Sequence, residues 1–479
     1  MKYKVSIGLE THVQLKTRSK IWCGCPNRFG QPANTDICPV CLGYPGALPS
    51  LNREAVRLTV VTGLMLGSTI NRRSKFDRKS YFYPDMPKNY QISQYDEPFC
   101  TGGHLNINVN GGSKRVEITR IHLEEDVGKS IHFEQSSGVD FNRAGTPLME
   151  IVSEPELESP DEAFAYLTAL KQVLLYGDIS EGNLEEGNIR CDINCSLRPM
   201  DSDVLGSKIE IKNMNTFRGV HRSLVYEIKR QIGILDNGGV IQQETRRWDD
   251  DSGLTSIMRT KEHAHDYRYF PEPDLMPIVL TSEEIDAMRS AIPELPADRR
   301  NRFAVEYGLP EYDAGILTSD RDLADFYEAA AKISGNYKAV SNWIMTDMLH
   351  YLSEEGIGID KIKITPEALA ELVDLVVQNT INMPAAKKIF RILLESGGKP
   401  TAIMEDKGLA QISDSDSIDV FVEEALSSHP SSVADYRSGK KAALQFLVGQ
   451  VMRLSKGKAN PRAAMESLKR RLDSGDPGN

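Results

Sequence analysis

The chain has 479 residues, of which 40% are hydrophobic and 26% charged, and its formal net charge is −11. This length exceeds what a single hydrophobic core supports, so we expect two or three domains. The acidic balance argues against indiscriminate coating of nucleic acid, which needs positive charge. No apolar run approaches the roughly 18 residues of a membrane span, and no apolar stretch of a secretory signal follows the first residues. We therefore expect a cytoplasmic protein with no part in a membrane.

The first 292 residues have the pattern of a β-rich domain. Apolar and polar residues alternate over residues 5–15 and again over 189–197, which is the period of a half-buried strand. Two helices are expected to interrupt the strands, at about 160–176 and 218–235. We predict a mixed or antiparallel sheet in this region.

Helix signals dominate beyond residue 293. Residues 339–352 carry apolar side chains at spacings close to three and four, which indicates a helix buried on one face. Thr365 and Pro366 are suited to start a helix, as a capping residue and a first-turn proline. A short polar stretch at about 399–416 marks a second change in composition. The prediction is an α+β protein with three domains: a β-rich domain at 1–292, a helical domain at 293–403 and a small helical tail domain at 404–479.

Four of the seven cysteines lie close together, as Cys23-x-Cys25 and, after twelve intervening residues, Cys38-x-x-Cys41. Paired thiolates at short spacing offer their sulfurs to one tetrahedral ion. A shell of four sulfurs leaves no position for water, so a zinc ion here would be structural and would hold the insert at residues 22–43 together. The alternative is four reduced cysteines packed as small hydrophobic residues.

Glu10 and His12 share the polar side of the first predicted strand, because alternate residues of a strand point the same way. Taken alone, this pair fits a solvated sheet face better than a metal site. Further carboxylates occur in later strand-like segments: Glu124 and Glu125 in a run of three acids, Glu150 within an apolar run, and Asp192 on the polar side of its strand. If these groups converge, they suit Mg²⁺ or Mn²⁺, since hard cations prefer oxygen ligands.

Residues 75–90 mix cations with aromatic rings, and they include Lys79, Tyr81 and Lys88. Such a surface can neutralise phosphates and stack a base. The alternative is a loop with proline residues and ordinary packing aromatics. The tripeptide at 128–130, Gly-Lys-Ser, lacks the upstream glycine of a P-loop, so we do not count it as a phosphate-binding motif.

Together these segments resemble the GatB family, the B subunits of the aspartyl/glutamyl-tRNA amidotransferases. The resemblance extends over essentially the whole chain and is carried by seven ordered motifs at residues 7–16, 74–85, 140–150, 185–192, 243–248, 266–273 and 446–456.

The resemblance implies a protein that works with an amidase subunit, GatA, and a small subunit, GatC. The amidase releases ammonia from glutamine, and a channel carries it to the GatB protein. GatB proteins bind the charged 3′ end of Glu-tRNA(Gln) or Asp-tRNA(Asn), phosphorylate the side-chain carboxylate with ATP, and let ammonia displace the phosphate. The implied fold is a β-rich cradle for the acceptor end, then a helical domain, then a tail domain that contacts the tRNA body.

The family's metal-binding kinase site falls on five residues of this sequence: Glu10, His12, Glu125, Glu150 and Asp192. Because Glu124 is adjacent to Glu125, the sequence leaves open which of these two glutamates points inward. Lys79, Tyr81, Lys88 and Arg190 are the candidates for contacts with ATP. The four cysteines match the zinc-bearing members of the family.

A second hypothesis is a non-catalytic tRNA-binding scaffold with a zinc knuckle, in which partners do all the chemistry. It accounts for the cysteines and for the tail, where basic residues outnumber acidic ones from Ser431 onward. It leaves the apolar-flanked Glu150 and the Glu10–His12 pair without a role. Binding of Mg-ATP discriminates between the two hypotheses.

Overall fold

The computed structural model describes residues 2–109, 111–184, 186–214, 216–260, 267–412 and 414–474. The chain divides into two compact units, Met1–Pro296 and Ala297–Asn479. Strands occupy the first unit and helices the second, so the predicted α+β class is confirmed. Of the predicted features, Glu185 and Asp266 in two of the shared motifs and the last five residues of the tail lie outside the described residues.

Strands are the main secondary-structure elements of the first unit. In chain order, the strands are β1 (Tyr3–Gln14), β2 (Thr69–Ile70), β3 (Arg73–Ser74), β4 (Asp77–Ser80), β5 (Tyr90–Ser93), β6 (Cys100–Thr101), β7 (His104–Val109), β8 (Gly112–Glu125), β9 (Lys129–His132), β10 (Ser137–Asp140), β11 (Pro147–Ser153), β12 (Ile189–Pro199), β13 (Ile209–Met214), β14 (Glu244–Asp249), β15 (Leu254–Thr260), β16 (Phe270–Pro271) and β17 (Ile278–Val279). The helices of this unit are α1 (Arg53–Met65), α2 (Pro160–Tyr176), α3 (Phe217–Asp236) and α4 (Ser282–Ser290).

Within the described residues, ten strands form one mixed sheet in the order β15-β14-β13-β12-β1-β11-β8-β6-β2, with β7 paired to β8. Its neighbours are antiparallel except β13 and β14, which run parallel. β1 lies at the centre, between β12 and β11, and pairs with both along much of its length. Residues far apart in the sequence are thereby brought side by side at β1.

Successive side chains of the central strands point to opposite sides of the sheet, which gives it an apolar face and a polar face. Ile7, Leu9 and Val13 of β1 are at most 1% exposed, while Glu10 and His12 point to the other side. The apolar face forms one core with buried side chains of α1, α2 and α3. Burial of each such aliphatic side chain stabilises the fold by about 1.5–3 kcal/mol. The polar face carries four of the side chains that the sequence singled out: Glu10, His12, Glu150 and Asp192.

The helices over the apolar face begin where the sequence supplies caps. The Ser159 side chain accepts a hydrogen bond from the N–H of Glu162 at the start of α2, and Thr216 accepts one from Gly219 at the start of α3. Each bond satisfies a backbone donor that a helix start otherwise leaves without a partner. Helices were expected at about 160–176 and 218–235, and α2 and α3 lie there.

The second unit is helical throughout its described part. Its α-helices are α5 (Pro296–Glu306), α6 (Glu311–Leu317), α7 (Arg321–Ser334), α8 (Tyr337–Trp343), α9 (Leu349–Glu355), α10 (Pro366–Val377), α11 (Met383–Ser396), α12 (Pro400–Asp406), α13 (Ser415–Ser428), α14 (Pro430–Arg437), α15 (Ala442–Leu454) and α16 (Pro461–Asp473). A π-helical turn, Ile344–Met348, joins α8 to α9, and a 3₁₀ turn, Ile359–Lys361, precedes α10.

Buried hydrophobic residues of the second unit form two clusters in its described part, one between Phe303 and Met404 and one between Ile418 and Leu472. The division into a helical domain and a tail domain at residue 404 stays a prediction. Among the described residues, no helix combines the length and the apolar character needed to cross a membrane.

Candidate functional site

The register of three neighbouring strands assembles the central part of the polar face. His12 of β1 lies directly opposite Glu150 of β11, and Glu150 lies directly opposite His122 of β8. Directly opposed residues of antiparallel strands project to the same face, so these three side chains form one row across the sheet. Glu124 lies two residues beyond His122 on the same face of β8.

His12, Glu124 and Glu150 form the first group of possible metal ligands, here called the histidine cluster. Each offers one ligand atom, and these atoms lie within 4.8 Å of one another. The Nε2 of His12 is 3.2 Å from Glu150 Oε2 and 3.9 Å from Glu124 Oε1. The Nε2 of His122 is 3.8 Å from Glu124 and 3.7 Å from Glu150. Two buried carboxylates therefore face two imidazoles at distances that one ion can bridge.

Electrostatics in the histidine cluster favour charged side chains. Burial acts to lower the pKa of His12, but the hydrogen bond and charge of Glu150, with the charges of Glu124 and Asp192, outweigh it and raise this pKa to about 9. Burial acts to raise the pKa of Glu150, while His122 and His12 hold it well below its usual range. At neutral pH the positive charge of protonated His12 thus balances the negative charge of the carboxylates. A divalent cation can replace this positive charge.

Glu10, Asp192 and Glu210 form the second group, here called the carboxylate cluster, with ligand atoms also within 4.8 Å of one another. Glu10 lies directly opposite Asp192 in the pairing of β1 with β12. Lys212 bridges Asp192 and Glu210, and its Nζ is 3.2 Å from Glu210 Oε1. Asn194 donates its amide to Glu10 Oε1 at 2.7 Å. The sequence singled out Glu10 and Asp192 but not Glu210, which joins them only through the pairing of β13 with β12.

The structure brings Glu124, and not Glu125, into the histidine cluster. Consecutive residues of β8 point to opposite faces, so Glu125 lies on the other side of the sheet from Glu124. There Glu125 is 1% exposed, accepts a hydrogen bond from Lys88 Nζ at 2.6 Å, and accepts another from the backbone N–H of Ile92 at 2.8 Å. Of the two glutamates that the sequence left open, Glu124 and not Glu125 therefore belongs to this group of possible metal ligands.

The ATP-contact candidates take three different positions. Lys79 Nζ lies 4.9 Å from the centre of the Tyr267 ring, and burial acts to lower its pKa while Glu124, two tyrosines and Glu150 raise it. Tyr81 lies against Tyr267, with ring centres 6.1 Å apart, and burial raises its pKa. Lys79 and Tyr81 thus border the histidine cluster, whereas Lys88 is held by Glu125.

Arg190 stands directly opposite His12 in the pairing of β12 with β1. Its Nη2 is 2.7 Å from Asp126 Oδ2, and the same carboxylate oxygen accepts a hydrogen bond from Gln14 at 3.0 Å. Asp126 is 3% exposed; burial acts to raise its pKa, but Arg190 and Arg143 keep it below its usual range. Arg190 is therefore held beside the histidine cluster by a buried carboxylate.

The four cysteines of the predicted zinc site lie close together in the insert. The sulfurs of Cys23, Cys25, Cys38 and Cys41 lie within 4.8 Å of one another, and none of the cysteines in the described residues forms a disulfide. A hydrogen bond from Cys23 and the backbone N–H of Cys38 lower the pKa of Cys41 to about 5. Four converging sulfurs fit a single tetrahedral metal ion. Packing as separate small hydrophobic residues does not require this convergence.

The donor sets of the three groups are of two kinds, which indicates two kinds of ion. The histidine and carboxylate clusters offer mainly oxygen and lie on the polar face, as a hard divalent cation requires. The cysteine cluster offers sulfur alone, as a structural site for a softer metal does. Each set therefore fits a metal ion of its own chemistry.

Two family models match the chain: a GatB/GatE catalytic domain over residues 5–286 and a GatB domain over residues 325–472. The chain is 51% identical over 474 residues to the B subunit of the aspartyl/glutamyl-tRNA(Asn/Gln) amidotransferase of Thermoanaerobacter sp. strain X514, with 98% of this chain and 100% of the relative covered. It is 50% identical over 477 residues to the protein of the same name from Halorhodospira halophila, with 99% and 100% covered. For that from Moorella thermoacetica the identity is 49% over 476 residues, with 98% and 100% covered.

Proposed function

The chain belongs to the GatB family of tRNA amidotransferase subunits, and we propose that it carries the kinase and amide-forming site of such an enzyme. Its substrates are Glu-tRNA(Gln), Asp-tRNA(Asn) or both, together with ATP. The product is the corresponding Gln-tRNA(Gln) or Asn-tRNA(Asn). The observation that carries this proposal is the convergence of His12, Glu124 and Glu150 beside Glu10, Asp192 and Glu210 on one face of the sheet.

The reaction has to activate the side-chain carboxylate of the aminoacyl-tRNA before ammonia can attack it. A carboxylate is a poor acyl donor because its leaving group would be oxide. Its oxygen therefore attacks the terminal phosphorus of ATP, the bond to the bridging oxygen breaks, and ADP leaves. Ammonia then attacks the carbonyl carbon of the acyl phosphate, inorganic phosphate departs, and the amide remains after loss of a proton.

Two groups of side chains hold the cations that this transfer requires. Bound Mg²⁺ or Mn²⁺ neutralises charge on the transferring phosphoryl group. The histidine cluster would hold one ion and the carboxylate cluster a second. Lys79 adds positive charge beside Glu124 and Glu150, and Lys212 does the same beside Asp192 and Glu210.

The cysteine cluster holds a structural Zn²⁺ in this proposal. The chain works in the cytoplasm with an amidase subunit, GatA, which supplies ammonia, and with a small subunit, GatC. The tail domain contacts the tRNA body. The names of the relatives support an enzyme of several subunits, since each relative is named as one subunit of an amidotransferase.

The test is transamidation by the complex assembled from this chain, the amidase subunit and the small subunit. Glu150→Gln should abolish ATP-dependent formation of Gln-tRNA(Gln) or Asn-tRNA(Asn), while the amidase subunit still hydrolyses glutamine. The matched control is Glu134→Gln, which changes an exposed glutamate of the same unit and should leave turnover unchanged. Retained transamidation in Glu150→Gln contradicts the proposed site, and no Mg-ATP binding by the wild-type complex favours the scaffold hypothesis.

A further inference from the structure

Lys20 is buried next to the cysteine cluster, and the proposed function gives this lysine no role. The residue is 0% exposed, and no other lysine of the described residues is buried. A lysine is almost never fully buried unless a charged partner compensates its ammonium group, because removing that charge from water is costly. The charge of Lys20 therefore requires a compensating group inside the protein.

The polar neighbours of Lys20 do not supply this compensation. Its Nζ donates to the carbonyl oxygen of Phe141 at 3.4 Å, a long contact with an uncharged group. Within the described ranges, no carboxylate oxygen lies within 4.0 Å of this Nζ. Asp36, a buried carboxylate of the same insert, accepts from two nitrogens of Arg28 at 2.8 and 2.9 Å, so its charge is already balanced. The partner of Lys20 is therefore not a carboxylate.

Lys20 is held against both cysteine pairs. Its backbone N–H donates to the carbonyl oxygen of Cys25 at 3.0 Å. A Cβ atom on Gly145 would lie 3.6 Å from Cδ of Lys20 and 3.7 Å from Cβ of Cys41, so the lysine stem and this cysteine pack against the same glycine. A hydrogen bond from Cys23 lowers the pKa of Cys41 most, and the charge of Lys20 adds to this lowering. The ammonium group therefore lies near enough to the sulfurs to act on their charge.

The cysteine cluster carries negative charge when it holds a metal. Four thiolates around one Zn²⁺ leave two negative charges in excess. The backbone N–H of Cys38, which donates to Cys41 Sγ at 3.1 Å, offsets only part of this charge. Buried charge is costly unless hydrogen bonds or a charge of opposite sign compensate it. The metal-loaded cluster and Lys20 are therefore complementary, because each supplies the charge that the other lacks.

We propose that Lys20 compensates the negative charge of the metal-loaded cysteine cluster and thereby raises the affinity of the cluster for Zn²⁺. This inference rests on one part of the proposed function, the assignment of Zn²⁺ to the cysteines. Groups outside the ligand shell typically change metal affinity by about 10- to 100-fold when they are removed. The alternative is that Lys20 only fills space with its unbranched stem, a role that a methionine side chain can take over.

The first measurement is the Zn²⁺ affinity of the whole chain, by competition with a chromophoric chelator. Lys20→Met keeps an unbranched apolar stem and removes the charge, so Zn²⁺ binding should weaken by roughly 10- to 100-fold. Lys20→Arg keeps the charge and should lose less affinity than Lys20→Met. The matched control is Lys171→Met, which changes a half-buried lysine of α2, a helix that adds its buried side chains to the apolar core. Its Zn²⁺ affinity should match wild type.

Thermal melts of the same proteins separate a charge role from a packing role. With a chelator in excess, the cluster has less negative charge for Lys20 to compensate, so the melting temperature of Lys20→Met should not fall below that of wild type. With Zn²⁺ in excess, wild type should gain more stability than Lys20→Met, because stabilisation by a ligand increases with its affinity. A residue that only fills space would lower the melting temperature equally with and without the metal.

The outcomes separate this inference from the proposed function. Unchanged Zn²⁺ affinity in Lys20→Met overturns the inference alone, and so does an equal loss of affinity in Lys20→Met and Lys20→Arg. A lower melting temperature of Lys20→Met in chelator, or its failure to fold there, assigns Lys20 to packing and overturns the charge role. No Zn²⁺ binding by wild type overturns both the inference and the zinc assignment, while the transamidation test of the polar face still stands.

Discussion

The two faces of the large sheet are built from the same strands but do different work. On the apolar face, Leu9 and Ile151 are at most 1% exposed and pack against the helices. On the polar face, the neighbouring residues Glu10 and Glu150 form clusters of possible metal ligands. A single step along a strand therefore separates a residue of the hydrophobic core from a residue of a possible metal site. Substitutions one residue apart should therefore affect different properties: stability on the apolar face, and metal binding and turnover on the polar face.

Glu124→Gln and Glu125→Gln make the sharpest test of this separation. Glu124→Gln should lower the rate of carboxylate phosphorylation by roughly 10³-fold, because a charged ligand facing the transferring phosphoryl group is lost. Its Mn²⁺ affinity should fall in parallel. Glu125→Gln should keep Mn²⁺ binding but lower stability, because Lys88 is left buried without its charged partner. Mn²⁺ binding by electron paramagnetic resonance and thermal melts measure the two effects.

The reverse result for this pair, with Mn²⁺ binding lost in Glu125→Gln and kept in Glu124→Gln, contradicts the assignment of Glu124 to the metal site. Loss of Mn²⁺ binding in both variants, with both folded, shows that the two faces are not independent at this end of β8.

Ile151→Ala examines the apolar face beside Glu150. Ile151 is fully buried and lies between Thr11 and Ile121 on the adjoining strands. The substitution should lower the free energy of unfolding of the first unit by about 2–5 kcal/mol, because it leaves a cavity in the core. Urea denaturation measures this change. Transamidation per folded complex should stay near wild type; a large loss of turnover in the folded fraction shows that the core also sets the geometry of the polar face.

His12 gives the polar face a pH dependence. In the metal-free protein its pKa is raised to about 9, but a metal ligand must be the neutral imidazole. Mn²⁺ binding at pH 6.5–8.5 therefore releases one proton from His12, and its affinity should rise by about tenfold per pH unit and level off near pH 9. Titrations at constant ionic strength measure the slope. A His12→Gln variant should show weaker binding and a shallower slope; an equal slope assigns the released proton to another group.

The raised pKa of His12 also predicts how the stability of the metal-free protein depends on pH. Because the folded-state pKa of His12 is raised, the protonated imidazole contributes stability that is fully present below its unfolded-state pKa, about 6.5. This contribution is lost as the pH rises through about 9. Unfolding with a chelator present should therefore show that His12→Gln costs more stability at pH 6 than at pH 9.5. Equal costs at both pH values contradict the raised pKa.

The sequence was enough to predict strands and helices whose pattern is local. The alternation at residues 5–15 and 189–197 corresponds to β1 and β12, and Thr365 caps α10 through the N–H of Ala368. Glu210 could not be found in this way, because it joins the carboxylate cluster only through the pairing of β13 with β12. His122 was missed as well, because it meets Glu150 only through the pairing of β8 with β11. The choice between Glu124 and Glu125 also needed the structure, since it depends on which face of β8 each occupies.

Ser159→Ala tests the N-terminal cap of α2, the helix that packs on the apolar face, and should give the smallest change in stability. The Ser159 hydroxyl accepts a hydrogen bond from the N–H of Glu162 at 3.1 Å, and α2 buries Tyr166 and Leu170 in the core. Loss of this cap should lower the free energy of unfolding by about 1 kcal/mol. Mn²⁺ affinity should not change, because α2 adds its buried side chains to the core of the apolar face and none to the metal clusters. Ser159→Asp, which restores a capping oxygen, should recover the stability, and a failure to recover it shows that the hydroxyl does more than cap the helix.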